Sequence, residues 1–416
     1  MHALVSAAFY SLNINHTLAT ESWQFCTTTT KLKRALSQAA MRMPQQGMVW
    51  AIAATSLACL AAALRPTTQP PPKRRNSLVR TASDVAAGAV MPAVLLGVVG
   101  AAAAGAEDAE GAVGRVIPTR LARLLRDSRI AWRQFTAFEA VAGFVALAAA
   151  DAKDSGRSLV QAGRALLEQW RRAGETLVES RNEGGHVIDL YSGGDSTRPL
   201  VVLVPGGGWC HGDDARLYRL LAARVAKRSR CEVAVAQYAP WPLGDGEDMV
   251  NAVSAALRWA ERRRPGGVVA VGLSAGAHLV AAASTTRGTR PAAAALCSGV
   301  FDLEEHYAHE SRRGVHDVSA LGAAYAGKML EYSPICGKTF AKRVLLVHGA
   351  ADLTAPLTSG ADAVAAVHAA APDVVFTRVD VEGGHLDYAM RAMRDEKAPF
   401  LDWVDDLMEG VAGEMD

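Results

Sequence analysis

The most constraining stretch of this chain is Gly272-Leu273-Ser274-Ala275-Gly276, because of what stands on either side of it. The run Gly267-Val268-Val269-Ala270-Val271 enters it without a polar position, as a strand covered on both faces would. The small-residue segment Ala277-His278-Leu279-Val280-Ala281-Ala282-Ala283 leaves it as a helix. Strand, sharp turn and helix in that order are the context of a nucleophile elbow, where flanking glycines permit a tight turn that lifts a serine hydroxyl above the sheet edge. Ser274 also stands at a helix start, where unpaired N–H groups favour developing negative charge. Taken alone, the motif equally describes a serine that N-caps a helix after a buried strand. The rest of the chain separates the two readings.

Upstream, Leu200-Val201-Val202-Leu203-Val204 reads as a buried parallel strand that runs directly into Pro205-Gly206-Gly207-Gly208-Trp209. Glycines at a strand's carboxyl end can turn backbone amides toward a ligand where a Cβ would obstruct them. Open α/β sheets bind ligands at that edge. The amides of Gly207, Gly208 and Ala275 are the candidates for holding a tetrahedral oxyanion. A phosphate-binding loop is the alternative, but no Walker lysine follows and the G-x-G-x-x-G spacing is missing.

Downstream, Arg343-Val344-Leu345-Leu346-Val347 is another buried strand, followed by His348-Gly349-Ala350-Ala351-Asp352. A helix over about Ser359–Ala371 and a strand over 374–379 come next, and then the loop Glu382-Gly383-Gly384-His385. Serine, acid and histidine therefore occur in the chain order of an α/β-hydrolase, each after a strand. In that arrangement Ser274 attacks, His385 carries its proton, and Asp352 orients the imidazole.

Other polar residues compete for these roles. His348, at a strand terminus, reads as a hydrogen-bonded structural residue, and His278, one turn into the elbow helix, as packing. His211 lies in the glycine loop and is a pocket candidate. Asp302 and Asp362 are alternative acids, one at a different strand end and one inside a helix. No H-E-x-x-H or paired C-x-x-C favours a metal, and the chemistry calls for no cofactor. The six cysteines show no disulfide or ligand spacing; Cys231 and Cys297 fall in apolar strands, and Cys210 beside the glycines is open to modification.

The chain has 416 residues, more than one typical domain, and 171–416 has the size of a single α/β unit, about 220–300 residues. Strands are also expected at Val187–Tyr191, Glu232–Tyr238 and Ala293–Ser298. Helices are expected at Leu217–Arg228, Glu247–Arg263, Ser274–Ala283 and Pro399–Val411. The fold class that follows is α/β, a mostly parallel central sheet flanked by helices, with a cap insertion over about 301–335. A formal net charge of +2 offers no electrostatic argument for nucleic acid.

The N-terminal part differs in kind. Residues 1–47 hold the single acidic residue Glu21, many Ser and Thr, and Lys31, Lys33, Arg34 and Arg42, a composition that suits a targeting segment. Within 48–170, the uncharged runs 48–64 and 85–106 have the length of membrane spans, although Ala and Gly insert less favourably than Leu or Ile. Phe135–Ala150 is a third apolar stretch, interrupted by Glu139. A proline-rich basic linker around Arg65–Arg75 separates the first two runs. The arginines 115, 120, 123, 126, 129 and 133 recur among Leu121, Leu124, Leu125 and Ile130, as in one basic amphipathic helix over 115–133 suited to an anionic membrane surface, or equally to packing on the catalytic region. Membrane attachment is the expectation; basic residues flank both runs, so charge gives them no direction.

Gly206-Gly207-Gly208-Trp209, Gly272 through Leu279, Tyr238-Ala239-Pro240-Trp241-Pro242, and the cap's His306-Tyr307, Arg313-Gly314-Val315 and Tyr332-Ser333-Pro334 carry a family resemblance. Over about residues 170–400 the chain resembles the isoprenylcysteine methylesterase-like branch of the α/β-hydrolases, close to the carboxylesterase and kynurenine-formamidase groups. Pro205 departs from the His or Thr of many relatives, and Gly384-His385-Leu386-Asp387 from the branch's threonine-flanked histidine. The resemblance implies hydrolysis of a lipophilic carboxyl methyl ester, on a small-molecule or prenylated-protein substrate, by a membrane-attached serine hydrolase of the endoplasmic reticulum and Golgi. A plastid or mitochondrial address is the alternative from the N-terminal composition. It also implies an apolar substrate groove, for which Trp209, Tyr238, Tyr325 and Met329, with Leu321 and Leu330, are the candidates.

Overall fold

The computed structural model describes residues 77–410 except 266, 336–337, 386 and 395–397. The expected targeting segment and the apolar run 48–64 therefore lie outside the described residues. The chain divides into two units, Met1–Arg171 and Arg172–Asp416.

The described part of the first unit is helical: α1 Ser77–Ala103, α2 Ala109–Gly114, α3 Thr119–Arg126 and α4 Arg129–Ser155, followed by α5 Leu159–Glu175, which runs across the boundary. Ala87, Met91 and Leu95 of α1 bury against Leu125 of α3 and Ala131 of α4. A Cβ on Gly88 would stand 2.5 Å from Ile130 Cγ2, so α1 and α4 meet closely at that glycine. The helix expected over 115–133 is two helices. Ser128 breaks it, because its Oγ accepts the Ala131 N–H at 3.2 Å and so starts a new helix, while the Trp132 indole N–H caps the old one on the Arg126 carbonyl at 2.8 Å. Among the described residues two helices are long and apolar enough to cross a membrane, Ser83–Ala102 with mean hydropathy 2.1 and Arg129–Ser155 with 1.5. The second contains the Glu139 stretch.

The second unit is built on an eight-stranded sheet in the order β1-β2-β4-β3-β5-β6-β7-β8. Its strands are β1 Leu177–Glu183, β2 His186–Ser192, β3 Leu200–Val204, β4 Glu232–Ala236, β5 Val268–Leu273, β6 Ala293–Cys297, β7 Arg343–Gly349 and β8 Val375–Val381. The first two pairings, β1 with β2 and β2 with β4, are antiparallel, and all others are parallel. The parallel centre follows from composition, since β3, β5 and β6 are buried at every position, which only helices on both faces achieve. The helices of this unit are α6 Arg219–Ser229, α7 Gly246–Arg263, α8 Ala275–Arg287, α9 Leu303–Arg313, α10 Leu321–Ala324, α11 Met329–Tyr332, α12 Ala361–Ala369, α13 Asp387–Met393 and α14 Pro399–Gly410, of which α6, α7, α8, α12 and α14 pack on the strands. The inserted segment after β6 holds α9, α10 and α11.

Strand register decides what the sheet can present. Val204 pairs with Gly272, Leu273 with Cys297, Cys297 with Val347, and Gly349 with Val381. The carboxyl ends of β3, β5, β7 and β8 therefore lie at the same edge of the sheet, within three residues of one another. The segments that leave them, carrying Gly206–Gly208, Ser274, Asp352 and His385, emerge along one rim.

Candidate active site

The turn from β5 into α8 is as tight as its glycines suggest. A Cβ on Gly276 would stand 2.2 Å from the Val204 carbonyl oxygen, and one on Gly272 would stand 2.5 Å from Ala277 Cα. Ser274 itself takes φ 54° and ψ −122°, a conformation that costs a side-chain-bearing residue on the order of 1–3 kcal/mol. Its neighbours hold it there. The Ser274 N–H donates to Cys297 O at 2.8 Å, and the Ser274 carbonyl accepts the N–H groups of Ala277 at 2.9 Å and His278 at 3.2 Å.

His385 meets both partners expected of it. Its Nε2 lies 2.7 Å from Ser274 Oγ, and its Nδ1 lies 2.7 Å from Asp352 Oδ2. A carboxylate only accepts, so Nδ1 carries the proton and Nε2 is left to accept the serine O–H. The loop bearing the imidazole is pinned at Gly384, whose N–H donates to Asp387 Oδ2 at 2.8 Å, and at Gly383, whose carbonyl accepts the Ala351 N–H at 3.0 Å.

Asp352 is almost fully buried, and every contact it makes favours the anion. Its Oδ1 accepts the N–H groups of Thr354 at 2.9 Å and Ala355 at 2.8 Å. Burial pushes its carboxyl upward, but the hydrogen bond and charge of His385, the Ala355 amide and nearby His348 prevail, so it sits below the usual carboxylate range. His348 Nε2 donates to Ala355 O at 2.6 Å and lies 3.5 Å from Asp352 Oδ2, and burial lowers its affinity for a second proton. His348 thus braces the acid loop, as its strand-end position suggested.

The glycine loop lies against the elbow. A Cβ on Gly206 would stand 2.8 Å from Leu273 O and 3.1 Å from Ser274 Cβ. Gly207 and Gly208 adopt φ 135° and 53°. The Gly207 carbonyl accepts the N–H groups of Cys210 at 3.0 Å and His211 at 3.1 Å, which closes the loop on itself. Ala275 is the first residue of α8, so its N–H belongs to the first turn, where the helix offers no acceptor.

The expected groove residues divide. Trp209, Tyr238 and Tyr325 are buried. Tyr238 donates its hydroxyl to carbonyls of the glycine loop, His211 at 2.9 Å and Pro205 at 3.2 Å. Trp209 donates its indole N–H to His278. Met329 is half-buried, Leu321 is buried, and Leu330 is 67% exposed.

The rival acids have other tasks. Asp302 Oδ1 caps α9 by accepting the N–H groups of Glu304 and Glu305, and Asp362 pairs with Arg378 at 2.7 Å. Cys210 Sγ lies 3.3 Å from Gly207 O, while burial pushes the Cys231 thiol up to about 12. Among the described residues no group of three or more His, Cys, Asp or Glu is placed to hold a metal ion.

Two histidines of the cap reach the acid loop, a link that sequence reasoning missed. His306 Nδ1 lies 3.0 Å from Ser359 Oγ, and His309 Nε2 donates to Leu353 O at 2.8 Å. The one available signal was the spacing of His306 and Glu310 on a single helix face; their side chains lie 3.6 Å apart.

Similarities to known proteins are found in sequence and in structure. Residues 236–410 match the prolyl oligopeptidase family. The isoprenylcysteine alpha-carbonyl methylesterase ICME of Arabidopsis thaliana is 27% identical over 243 residues, which cover 50% of this chain and 56% of that protein. The match thus spans little more than half the length of this relative. Among solved structures, an esterase of Pyrobaculum calidifontis aligns with 59% of this chain and 90% of its own at 18% identity and TM-score 0.48. An esterase/lipase from an uncultured bacterium covers 58% and 88% at 18% identity and TM-score 0.46. The sheet order and the elbow are those of an α/β-hydrolase fold, and in sequence the chain is similar to the isoprenylcysteine methylesterase of Arabidopsis thaliana.

Proposed function

We propose that this protein is a serine esterase that hydrolyses a lipophilic carboxyl methyl ester, with a prenylcysteine methyl ester as the substrate class. The observation that carries the reading is the unbroken hydrogen-bonded path from Ser274 Oγ through His385 to Asp352, 2.7 Å at each link. As the Ser274 oxygen bonds to the ester carbonyl carbon, its proton passes to His385 Nε2, and the carbonyl π electrons move onto oxygen. The amides of Gly207, Gly208 and Ala275 receive that oxyanion, each donor typically worth roughly 3–4 kcal/mol of barrier. Collapse expels the alkoxide, which takes the proton from His385 and leaves as methanol, with the acyl group now on Ser274. Water then gives its proton to His385 and attacks the acyl carbon. A second collapse returns the proton to Ser274 and releases the carboxylic acid. Asp352 stays ionised throughout and balances the transient imidazolium.

The methyl ester and prenyl chain rest on the similarity to the plant methylesterase. The two long apolar helices support attachment to a membrane, where a prenyl chain partitions, and the same resemblance favours the endoplasmic reticulum and Golgi. Methanol release by the purified full chain, compared among a farnesylcysteine methyl ester, short acyl esters and N-formylkynurenine, tests the substrate class. The reading expects the highest kcat/KM on the prenyl ester. Preference for acyl esters would make the protein a general lipase or esterase, and preference for N-formylkynurenine an arylformamidase.

A further inference from the structure

His278 lies one turn beyond Ser274 in α8 and is completely buried, yet both ring nitrogens are in use. Nδ1 accepts the indole N–H of Trp209 at 3.2 Å, and Nε2 donates to the Tyr332 carbonyl at 3.0 Å. An indole N–H can only donate and a carbonyl can only accept, so these partners select one neutral tautomer. Burial pushes this imidazole down to about 4, so that tautomer persists at neutral pH.

Each partner belongs to a different part of the site. Trp209 follows Gly208 directly and takes φ 60°, a left-handed conformation that a bulky residue keeps only when its surroundings impose it. Its ring meets His278, His306 and Tyr325 edge-on at centroid distances of 5.6, 6.0 and 6.0 Å. Tyr332 ends α11 in the cap, where its hydroxyl lies 3.2 Å from Arg287 Nη2. His278 is also tied to the nucleophile itself, through its backbone N–H on the Ser274 carbonyl. One buried side chain thus joins the cap, the elbow helix and the glycine loop.

We infer that His278 is a positioning residue: taking its orientation from the cap, it fixes Trp209 and through it the Gly207–Gly208 amides in the geometry that receives the oxyanion. The inference rests on the esterase reading above. Ordinary core packing would require only an imidazole's shape. The proposed role requires an acceptor at Nδ1, and the two requirements can be separated.

His278→Asn keeps an acceptor near the Nδ1 position, His278→Gln keeps a donor near Nε2, and Trp209→Phe keeps a ring without the N–H. The full chain and these variants are compared for kcat and KM on a p-nitrophenyl ester, for inhibition by a trifluoromethyl ketone whose serine adduct carries an oxyanion, and for melting temperature. His278→Gln and Trp209→Phe are expected to lower kcat by ~10²-fold with KM little changed, and to weaken the ketone in proportion, while His278→Asn stays within ~10-fold of the parent. Parental kcat in Trp209→Phe, a loss confined to KM, or Asn no better than Gln at equal melting temperature would overturn the inference. If the His278 variants do not fold, Trp209→Phe decides alone. Fluorophosphonate labelling of the parent separates the two levels. An adduct on Ser274 with failed rescue removes only the role of His278, whereas no adduct there removes the esterase reading and this inference together.

Discussion

Gly349 and Gly384 approach so closely that a Cβ on Gly349 would stand 2.4 Å from the Gly384 carbonyl oxygen. One glycine ends the strand that leads to the acid, and the other immediately precedes His385. Backbone contact at this point sets the spacing of the acid and histidine loops before any side chain acts. Gly349→Ala is therefore expected to displace His385 while leaving the sheet intact. A shift of about 1 Å in such a relay can cost ~10²-fold, so kcat should fall by ~10–100-fold with an unchanged circular dichroism spectrum. Full activity in the variant would show that the loops are spaced by something else.

In the proposed mechanism Ser274, His385 and Asp352 act as one unit, so their losses should not add. Ser274→Ala, His385→Ala and the double variant are expected to share nearly the same residual rate on a p-nitrophenyl ester. A double variant far below either single one would mean that the two residues act independently.

Asp352 also links activity and stability to pH. Its folded-state affinity for protons is depressed, so the stability it contributes is present above the unfolded carboxyl value of about 4 and is lost as pH falls through the lower folded value. Urea unfolding from pH 6 down to pH 3 should show the parent losing stability relative to Asp352→Asn. At neutral pH the same variant should lose ~10²–10⁴-fold in kcat, because an amide can hold the wrong imidazole tautomer. A pH-independent stability difference between the two proteins would contradict the assigned charge.

Glu232, on β4, accepts from Arg264 at 2.7 Å and from Arg263 at 3.2 Å with only 9% of its side chain exposed. Glu232→Ala leaves these guanidinium groups without that carboxylate and should destabilise the fold by ~1–3 kcal/mol in urea titration, with kcat unchanged. No change in midpoint would mean that solvent replaces the carboxylate without cost.

The central strands, and the serine, acid and histidine that meet at the rim, were legible because their signals are local. Strands β3, β5 and β7 are apolar on both faces, and a strand end followed by glycine or a small polar residue announces a loop at the sheet rim. Strand β1 was not legible. Its sequence Leu177-Val-Glu-Ser-Arg-Asn-Glu183 alternates charge instead of hydrophobicity, because it is an edge strand. Arg181 there pairs with Glu179 and Glu183, each at 3.2 Å, and sits over the Trp259 ring. Only Gly184 and Gly185, at φ 60° and 88°, mark the hairpin that returns into β2.

The burial of the aromatic groove candidates was not legible for a different reason. Trp209, Tyr238 and Tyr325 have the size and polarity of pocket-lining residues, but whether such a ring faces a ligand or a backbone carbonyl depends on tertiary packing. In Tyr238 the packing chose the carbonyls of the glycine loop. The basic segment failed as one helix because an N-capping serine, Ser128, outweighs a continuous amphipathic pattern.

Intact-mass analysis of the full chain after reaction with a fluorophosphonate probes Ser274 as the nucleophile and His385 as its base. One adduct is expected, located on Ser274 by peptide mapping, absent in Ser274→Ala and formed far more slowly in His385→Ala. An adduct that persists in Ser274→Ala, or one that forms at the parental rate without His385, would assign the nucleophile or the base to another residue.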